Sequence, residues 1–409
     1  MSPYRNAYRA LYRVFEEGAY LSDALGELNG ADRAKSTFLV YGVLDRAIEL
    51  DRTIDANCKK PKPEARIILR MGCFLSKYSR MPDYAAVDAC VSLCREIGRA
   101  GLCGFVNATL KNCIVRELPL PADRAQALSV QYSVPLWIVR KYLRQYGADA
   151  EKLLSFRPCT EEHVRVRGDL AAFCEKLDAA GVKYRDSLFA DALFVDYAAL
   201  LGANLPQESF VKMNEGSMRI CRLAAEGEDR EKISEILDAC AAPGGKSCYL
   251  SDLFPEARVY ACELHAHRTE LIRAYVKRLG AKNVVAVQAD AEAFRPEFSE
   301  RFPLVLADVP CSGLGVMYSK PDLKLRRKPE DVPALAEVQE RILANLCRYV
   351  KKGGVLVYAT CTTLREENED VVFRFLRDHA DFFAEKSEKW NPATADCEGF
   401  FAAKFRRRL

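Results

Sequence analysis

The chain has 409 residues, 49% hydrophobic and 29% charged, too long for one comfortable core, so two or three domains are expected. Sixty-one Lys+Arg against 57 Asp+Glu leave a formal charge of only +4, which excludes a global field as the means of holding a polyanion and leaves that task to local basic patches. No run reaches the ~18 apolar residues of a spanning helix, and MSPYRNAYRALYR is not followed by a signal-peptide core, so a cytoplasmic protein with no membrane partner is expected.

Residues 1–128 carry apolar residues at three-and-four spacing in AYRALYRVFEEG, AKSTFLVYGVLDRAIELDRTID, EARIILRMGCFLSKY and YAAVDACVSLCREIG, which predicts an all-α domain of five to seven helices. Asn29-Gly30, the run from Lys59 to Glu64 and Met81-Pro82-Asp83 separate them. Over 129–226 the pattern is mixed: VPLWIVRKYLRQYG and DLAAFCEKLDAAG read as helices, EHVRVRGD and ALFVDYA as strands, an α+β module. From 227 to 409 the alternation becomes regular. ISEILDA, ARVYACE, NVVAVQAD, PLVLADVP and GGVLVYAT are short apolar strands, each followed by a helix-forming stretch, the pattern of an α/β parallel doubly wound sheet. DFFAEKSEKW and GFFAAKFRRRL add two more strands.

Sixteen cysteines and four histidines are present, but no C-x-x-C or H-E-x-x-H, so neither a metal site nor a disulfide framework is expected. Most thiols should be small buried hydrophobes. Two stand apart. Cys311, in the Pro/Gly-bounded PCSGLG, and Cys361, in VLVYATCTT, both fall at the carboxyl edge of neighbouring strands, where thiolate chemistry is the better reading. In DACAAPGGKS, residues 238–247, Pro243, Gly244 and Gly245 form a tight strand-to-helix turn that lets a ligand approach bare backbone and offers N–H groups to an anion. The next three strands end in Glu263, Asp290 and Asp308. A carboxylate at Glu263 suits the two hydroxyls of a ribose, so an adenosine-containing ligand fits. The nicotinamide fingerprint G-x-G-x-x-G is missing, which disfavours an oxidoreductase.

These motifs, with KPDLK and YATCTTLREENED, closely resemble those of the Nol/Nop/Sun family of S-adenosylmethionine-dependent RNA cytosine-5 methyltransferases. LVYGVLDRAIELD, ILRMG and GFVNATLKN resemble a NusB-type RNA-binding domain. The pairing looks like the bacterial 16S rRNA enzymes rather than the shorter tRNA enzymes, though tRNA, or a noncatalytic role as an RNA-binding assembly factor, stays open. The resemblance implies a Rossmann-like catalytic domain and S-adenosyl-L-methionine as cofactor. By it, Cys361 adds to carbon 6 of cytosine, Cys311 assists release, and Asp308 contacts the base and the reacting end of the cofactor. It also implies that Cys240, Ala241, Ala242, Pro243, Gly244, Gly245 and Lys246 surround the methionine moiety, with Glu263 on the ribose and Asp290 near the adenine; Arg268, a further cofactor-binding candidate, sits where the family usually has a basic residue. RNA is the expected partner, and Lys320, Lys324, Arg326, Arg327 and Lys328 are the nearest basic candidates for its phosphates, a solvated charged loop being the competing reading. Lys59, Lys60, Lys62, Arg66 and Arg70, and the C-terminal Arg406–Arg408, are weaker ones. Three residues depart from the family pattern: Arg167, Cys221 and Arg222. The segment Tyr318-Ser319-Lys320 also lacks the usual arginine or histidine before Pro321.

Overall fold

Helix α1 (Pro3–Phe15) starts where Ser2 accepts from the Arg5 N–H and Pro3 occupies the first turn, and it buries Ala7, Leu11 and Val14. The computed structural model describes residues 2–28, 32–395 and 397–409; the expected Asn29-Gly30 turn lies outside them. After α1 come α2 (Leu21–Gly26), α3 (Arg33–Asp45), α4 (Ala47–Asp55), α5 (Pro63–Tyr78), α6 (Asp83–Glu96) and α7 (Cys103–Val115), seven helices among the described residues before 116 and the upper end of the expected range. The long periodic stretch 34–55 is two helices, because the chain turns at Arg46. Gly42 lets α3 meet α5, since a Cβ there would lie 1.9 Å from the Phe74 ring. Leu39, Val43, Ile67, Met71, Leu93 and Leu110 lie in the common core.

Helices α8 (Arg124–Tyr132), α9 (Leu136–Tyr146) and α10 (Ala150–Ser155) continue the helical unit. The expected boundary at 128/129 falls inside α8. By its contacts this unit comprises 1–156 together with a returning segment, 317–329, which the sequence pattern assigns to the catalytic domain.

The second unit comprises 157–316 and 330–409. Its first part is a four-stranded antiparallel sheet of β1 (Glu162–Val166), β2 (Tyr184–Asp186), β3 (Ala192–Val195) and β4 (Phe210–Lys212) in the order β2-β3-β1-β4. β2 and β4, three residues each, are too short to show a period and were not expected. Helices α11 (Leu170–Ala179), α12 (Tyr197–Gly202) and α13 (Glu215–Ala225) follow caps at Asp169, Asp196 and Asn214. The larger sheet alternates as expected through β5 (Glu235–Asp238), α14 (Gly245–Leu253), β6 (Arg258–Glu263), α15 (Ala266–Leu279) and β7 (Val284–Gln288), but β7 leads to β8 (Phe302–Asp308) through only a three-residue helical turn, Pro296–Phe298, where a helix was expected. Then come α16 (Pro321–Arg326) in the returning segment, α17 (Asp331–Leu346), β9 (Val350–Thr360), α18 (Glu369–Asp378), β10 (Phe382–Trp390) and β11 (Phe400–Arg407).

The seven strands lie in the order β10-β11-β9-β8-β5-β6-β7. Five are parallel, from β9 to β7, and β11 and β10 close the edge antiparallel. β8, buried on both faces, reads as an apolar run up to Asp308 for that reason. This Rossmann-like order brings the carboxyl ends of β5, β6, β8 and β9 to one edge, where such sheets bind ligands.

Candidate active site

At the end of β5 the chain turns through Cys240–Gly244 into α14. The turn holds a cis Ala242-Pro243 bond, and Gly244 has φ +109°, a backbone that L side chains rarely adopt. Ala241 N–H donates to the Cys262 carbonyl at 2.8 Å and Gly244 N–H to the Ala241 carbonyl at 2.7 Å, so the loop is fixed from both sides. Beneath it Asp238 is 1% exposed. Its Oδ2 accepts from Ser247 Oγ at 2.6 Å, whereas its Oδ1 is buried with no hydrogen-bond partner. Burial, opposed by the Ser247 bond and reinforced by Asp308, pushes the carboxyl up to about 7.

Lys246, in the first turn of α14, sends Nζ to Asp308 Oδ2 at 2.6 Å. Burial disfavours its ammonium, yet Asp308 outweighs that cost and the Lys246 pKa is raised, so the pair is ionic. Glu263, at the end of β6, is nearly buried; it accepts from His265 N–H at 3.2 Å and faces Arg268 Nη1 at 3.3 Å. Arg268 also donates to the Ala242 carbonyl at 3.4 Å, tying the loop to the second strand. Asp290 is exposed and accepts from the Glu292 N–H at 2.9 Å, the geometry of a local turn.

Cys311 follows β8 and Cys361 follows β9, and their sulfurs are 3.2 Å apart. Cys361 N–H donates to Cys311 Sγ at 3.4 Å. The neighbouring thiol, and then burial, push the Cys311 thiol well up. Parallel pairing of Asp308 with Ala359 in β9 sets the two loops side by side. Two close approaches keep them there: Gly315 N–H donates to the Cys361 carbonyl at 3.0 Å, and Gly399 N–H to the Gly315 carbonyl at 2.8 Å. A Cβ on Gly315 would stand 2.0 Å from the Gly399 oxygen.

Four side chains in this cluster were not singled out from sequence: Asp238, Ser312, Gln339 and Glu367. All are buried. Glu367 sits in the REENED stretch that carried the resemblance, but nothing local distinguishes it from the acids beside it. Nine of the other cysteines are buried, as expected of small hydrophobes, and no group of residues among those described could hold a metal ion.

The basic candidates fare differently. Lys320 and Lys328 are exposed and Arg327 is half-buried. Lys324 is a correction: it is fully buried, with Nζ donating at 2.9 Å to both the Asp45 carboxylate and its carbonyl. Arg326 is a second, donating to the Gly18 and Ala19 carbonyls at 2.6 and 2.8 Å and stacking over Tyr20. Arg66 and Arg70 are held by Asp51 and Asp55, Arg406 by Glu228 and Glu385, and Arg407 by Glu300 and Asp381. These charges serve the fold.

The family departures also find partners. Arg167 donates to both Asp252 oxygens at 2.9 and 2.7 Å, with Arg165 on the same carboxylate at 2.7 Å. Arg222 donates to Tyr249 and Asp191, and buried Cys221 faces the Lys246 carbonyl. They lock the small sheet and α13 onto α14.

The family described as 16S rRNA methyltransferase RsmB/F matches residues 223–406, and the NusB family matches residues 1–115. The chain is 32% identical to the probable ribosomal RNA small subunit methyltransferase B of Bacillus subtilis over 98% of each protein. It is 32% identical to the ribosomal RNA small subunit methyltransferase B of Shewanella oneidensis over 92% of this chain and 90% of that protein. Among solved structures it is similar to PH0851, with a TM-score of 0.84 at 20% identity over 100% and 99% of the two chains. NSun6 from Pyrococcus horikoshii gives 0.57 at 21% identity over 66% of this chain and 97% of that one.

Proposed function

Because this chain belongs to the ribosomal RNA small subunit methyltransferase B family, we propose that it methylates carbon 5 of a cytosine in 16S rRNA through a covalent adduct between Cys361 and the base. The observation that carries the reading is the pair of thiols 3.2 Å apart at the ends of β8 and β9, beside an ionic Lys246–Asp308 pair. Carbon 5 of cytosine is a weak nucleophile, and a thiolate added at carbon 6 makes it enamine-like.

The cofactor of this family is S-adenosyl-L-methionine, which supplies an electrophilic methyl group when bound. The residues at the sheet edge fit it. Asp238 leaves one buried oxygen without a donor, Gly244 and Gly245 bare the backbone where α14 begins, and Glu263 presents a carboxylate suited to ribose hydroxyls. Cys240–Lys246 would hold the methionine moiety, with Arg268 bracing the loop and Asp290 at the outer rim near the adenine.

The remaining chemistry belongs to the chain. Cys361 attacks carbon 6 as thiolate. As negative charge develops, the ring nitrogen takes up a proton from solvent, and the Asp308 carboxylate, held at 2.6 Å from Lys246 Nζ, accepts a hydrogen bond from that N–H. After carbon 5 is methylated its proton must leave before the Cys361–carbon 6 bond breaks, and Cys311, in contact with that sulfur, is placed to assist. RNA supplies the base unstacked from its neighbours, with Lys320, Arg327 and Lys328 as phosphate contacts.

The test is bisulfite sequencing of RNA from cells carrying or lacking the gene, combined with two variants. Loss of protection at one 16S cytosine is expected. Cys361→Ser should abolish methylation and form no adduct, whereas Cys311→Ser should accumulate a slowly migrating protein–RNA adduct. Normal turnover by Cys361→Ser would overturn the nucleophile assignment, and loss of protection only in tRNA would overturn the substrate.

A further inference from the structure

Cys311 and Cys361 lie on separate loops, and a separation of 3.2 Å between their sulfurs requires that those loops be held in register. Glu367 is the group common to both. It sits in the turn Arg365–Glu367 after β9 and is fully buried. Its Oε1 accepts from the Ser312 N–H at 2.7 Å and from Gln339 Nε2 at 3.2 Å, and its Oε2 accepts from Ser312 Oγ. Ser312 Oγ also meets Thr362 Oγ1 at 2.8 Å. The second Gln339 amide proton goes to the Pro310 carbonyl at 3.0 Å. One carboxylate therefore grips the residue after Cys311 directly, the residue before it through Gln339, and the residue after Cys361 through Ser312.

The surroundings are unusual for a carboxylate. The hydrogen bonds it accepts come from an amide N–H, the Ser312 and Thr362 hydroxyls and a carboxamide, all neutral, and burial raises its pKa. Burying an ionisable group without an opposing cation is costly. A fork of two acceptor oxygens in one plane is what the arrangement obtains in return, because no apolar side chain could clamp both loops.

We propose that Glu367 is a positioning residue that sets the spacing of the Cys311 and Cys361 sulfurs, a role that rests on the two-cysteine reading of the reaction. Its test uses that spacing itself. Diamide oxidises two adjacent thiols to a disulfide: the S–S bond forms, and the two thiol protons and two electrons reduce the N=N bond to a hydrazine. On the full-length protein, peptide mapping by mass spectrometry follows the Cys311–Cys361 disulfide over time. Glu367→Ala should slow it by about tenfold or more, and lower kcat by about a hundredfold while leaving KM for S-adenosylmethionine unchanged. Glu367→Gln, which keeps one acceptor for the Ser312 N–H and can donate to Ser312 Oγ, should recover most of both. Retained thermal stabilisation by S-adenosylmethionine shows that the alanine variant is folded. Should it not fold, Ser312→Ala carries the test and should slow the disulfide in the same direction. An unchanged disulfide rate in the folded alanine variant, or in Ser312→Ala, overturns the proposal. The disulfide rate does not depend on the reaction, so methylation by Cys361→Ser would sink the catalytic reading while leaving this measurement interpretable.

Discussion

Asp238 shows at the scale of one residue what burial does to a carboxyl group that sequence marks only as the end of a strand. Its pKa is about 7 in the fold against about 4 in the unfolded chain, so the native state takes up a proton between those values. Stability is therefore greatest at low pH within this window and falls as pH rises toward 7, by about 1.4 kcal/mol for each pH unit between the two values. Asp238→Asn should flatten that dependence, read as the difference in melting temperature between pH 5 and pH 7.5 with and without the substitution. An unaltered slope would show that the carboxylate is ionised throughout. Glu367 adds to the slope in the same direction because burial raises it too, so the asparagine variant removes part of the effect. Cys262 and Cys248, pushed up to about 12 by burial, are thiols rather than thiolates at neutral pH and should stay unalkylated while Cys361 reacts.

At the scale of elements, the segment 317–329 holds the main departure from expectation. Five basic residues suggested a phosphate track, but α16 presents Lys324 and Asp322 inward. Asp322 accepts from the Leu21 N–H at 3.1 Å, and Lys324 caps the end of α3 at Asp45. Lys324→Met should cost about 1–3 kcal/mol, moderated because Arg46 also lies 3.5 Å from Asp45; thermal melting measures it. The paired substitution Lys320→Ala and Lys328→Ala should weaken RNA binding and reduce the slope of log K against log salt by up to about two. If Lys324→Met weakened RNA binding at unchanged stability, the buried assignment would be wrong. Gly315 belongs to this scale too. Gly315→Ala forces a Cβ against a backbone oxygen, which no side-chain rotation relieves, so it should spread the cysteine loops and lower turnover as well as stability.

For the whole molecule, a ligand bound by the folded state alone raises stability by mass action, about 2.7 kcal/mol at a hundred times its Kd. S-adenosylmethionine should therefore raise the melting temperature and NAD should not; stabilisation by NAD would revive the nicotinamide reading. The parallel sheet, its Gly-rich turn and the strand-end acids were legible because each is local: apolar runs of five or so residues, a Pro-Gly-Gly turn and one polar residue beyond. The division of the chain was less so, since 317–329 belongs with the helical unit, and the basic run within it reads as a charged loop rather than as a boundary.

What the amino-acid order determined by itself was the sequence of elements and the delivery of Glu263, Asp308, Cys311 and Cys361 to one edge of a sheet, because period and turn chemistry act over a few neighbouring residues. Only the tertiary structure decided which charges remain at the surface and which clamp the fold. Lys324 meets Asp45 across 279 residues and Glu367 meets Ser312 across 55, and partners so distant along the chain are chosen by packing, not by pattern.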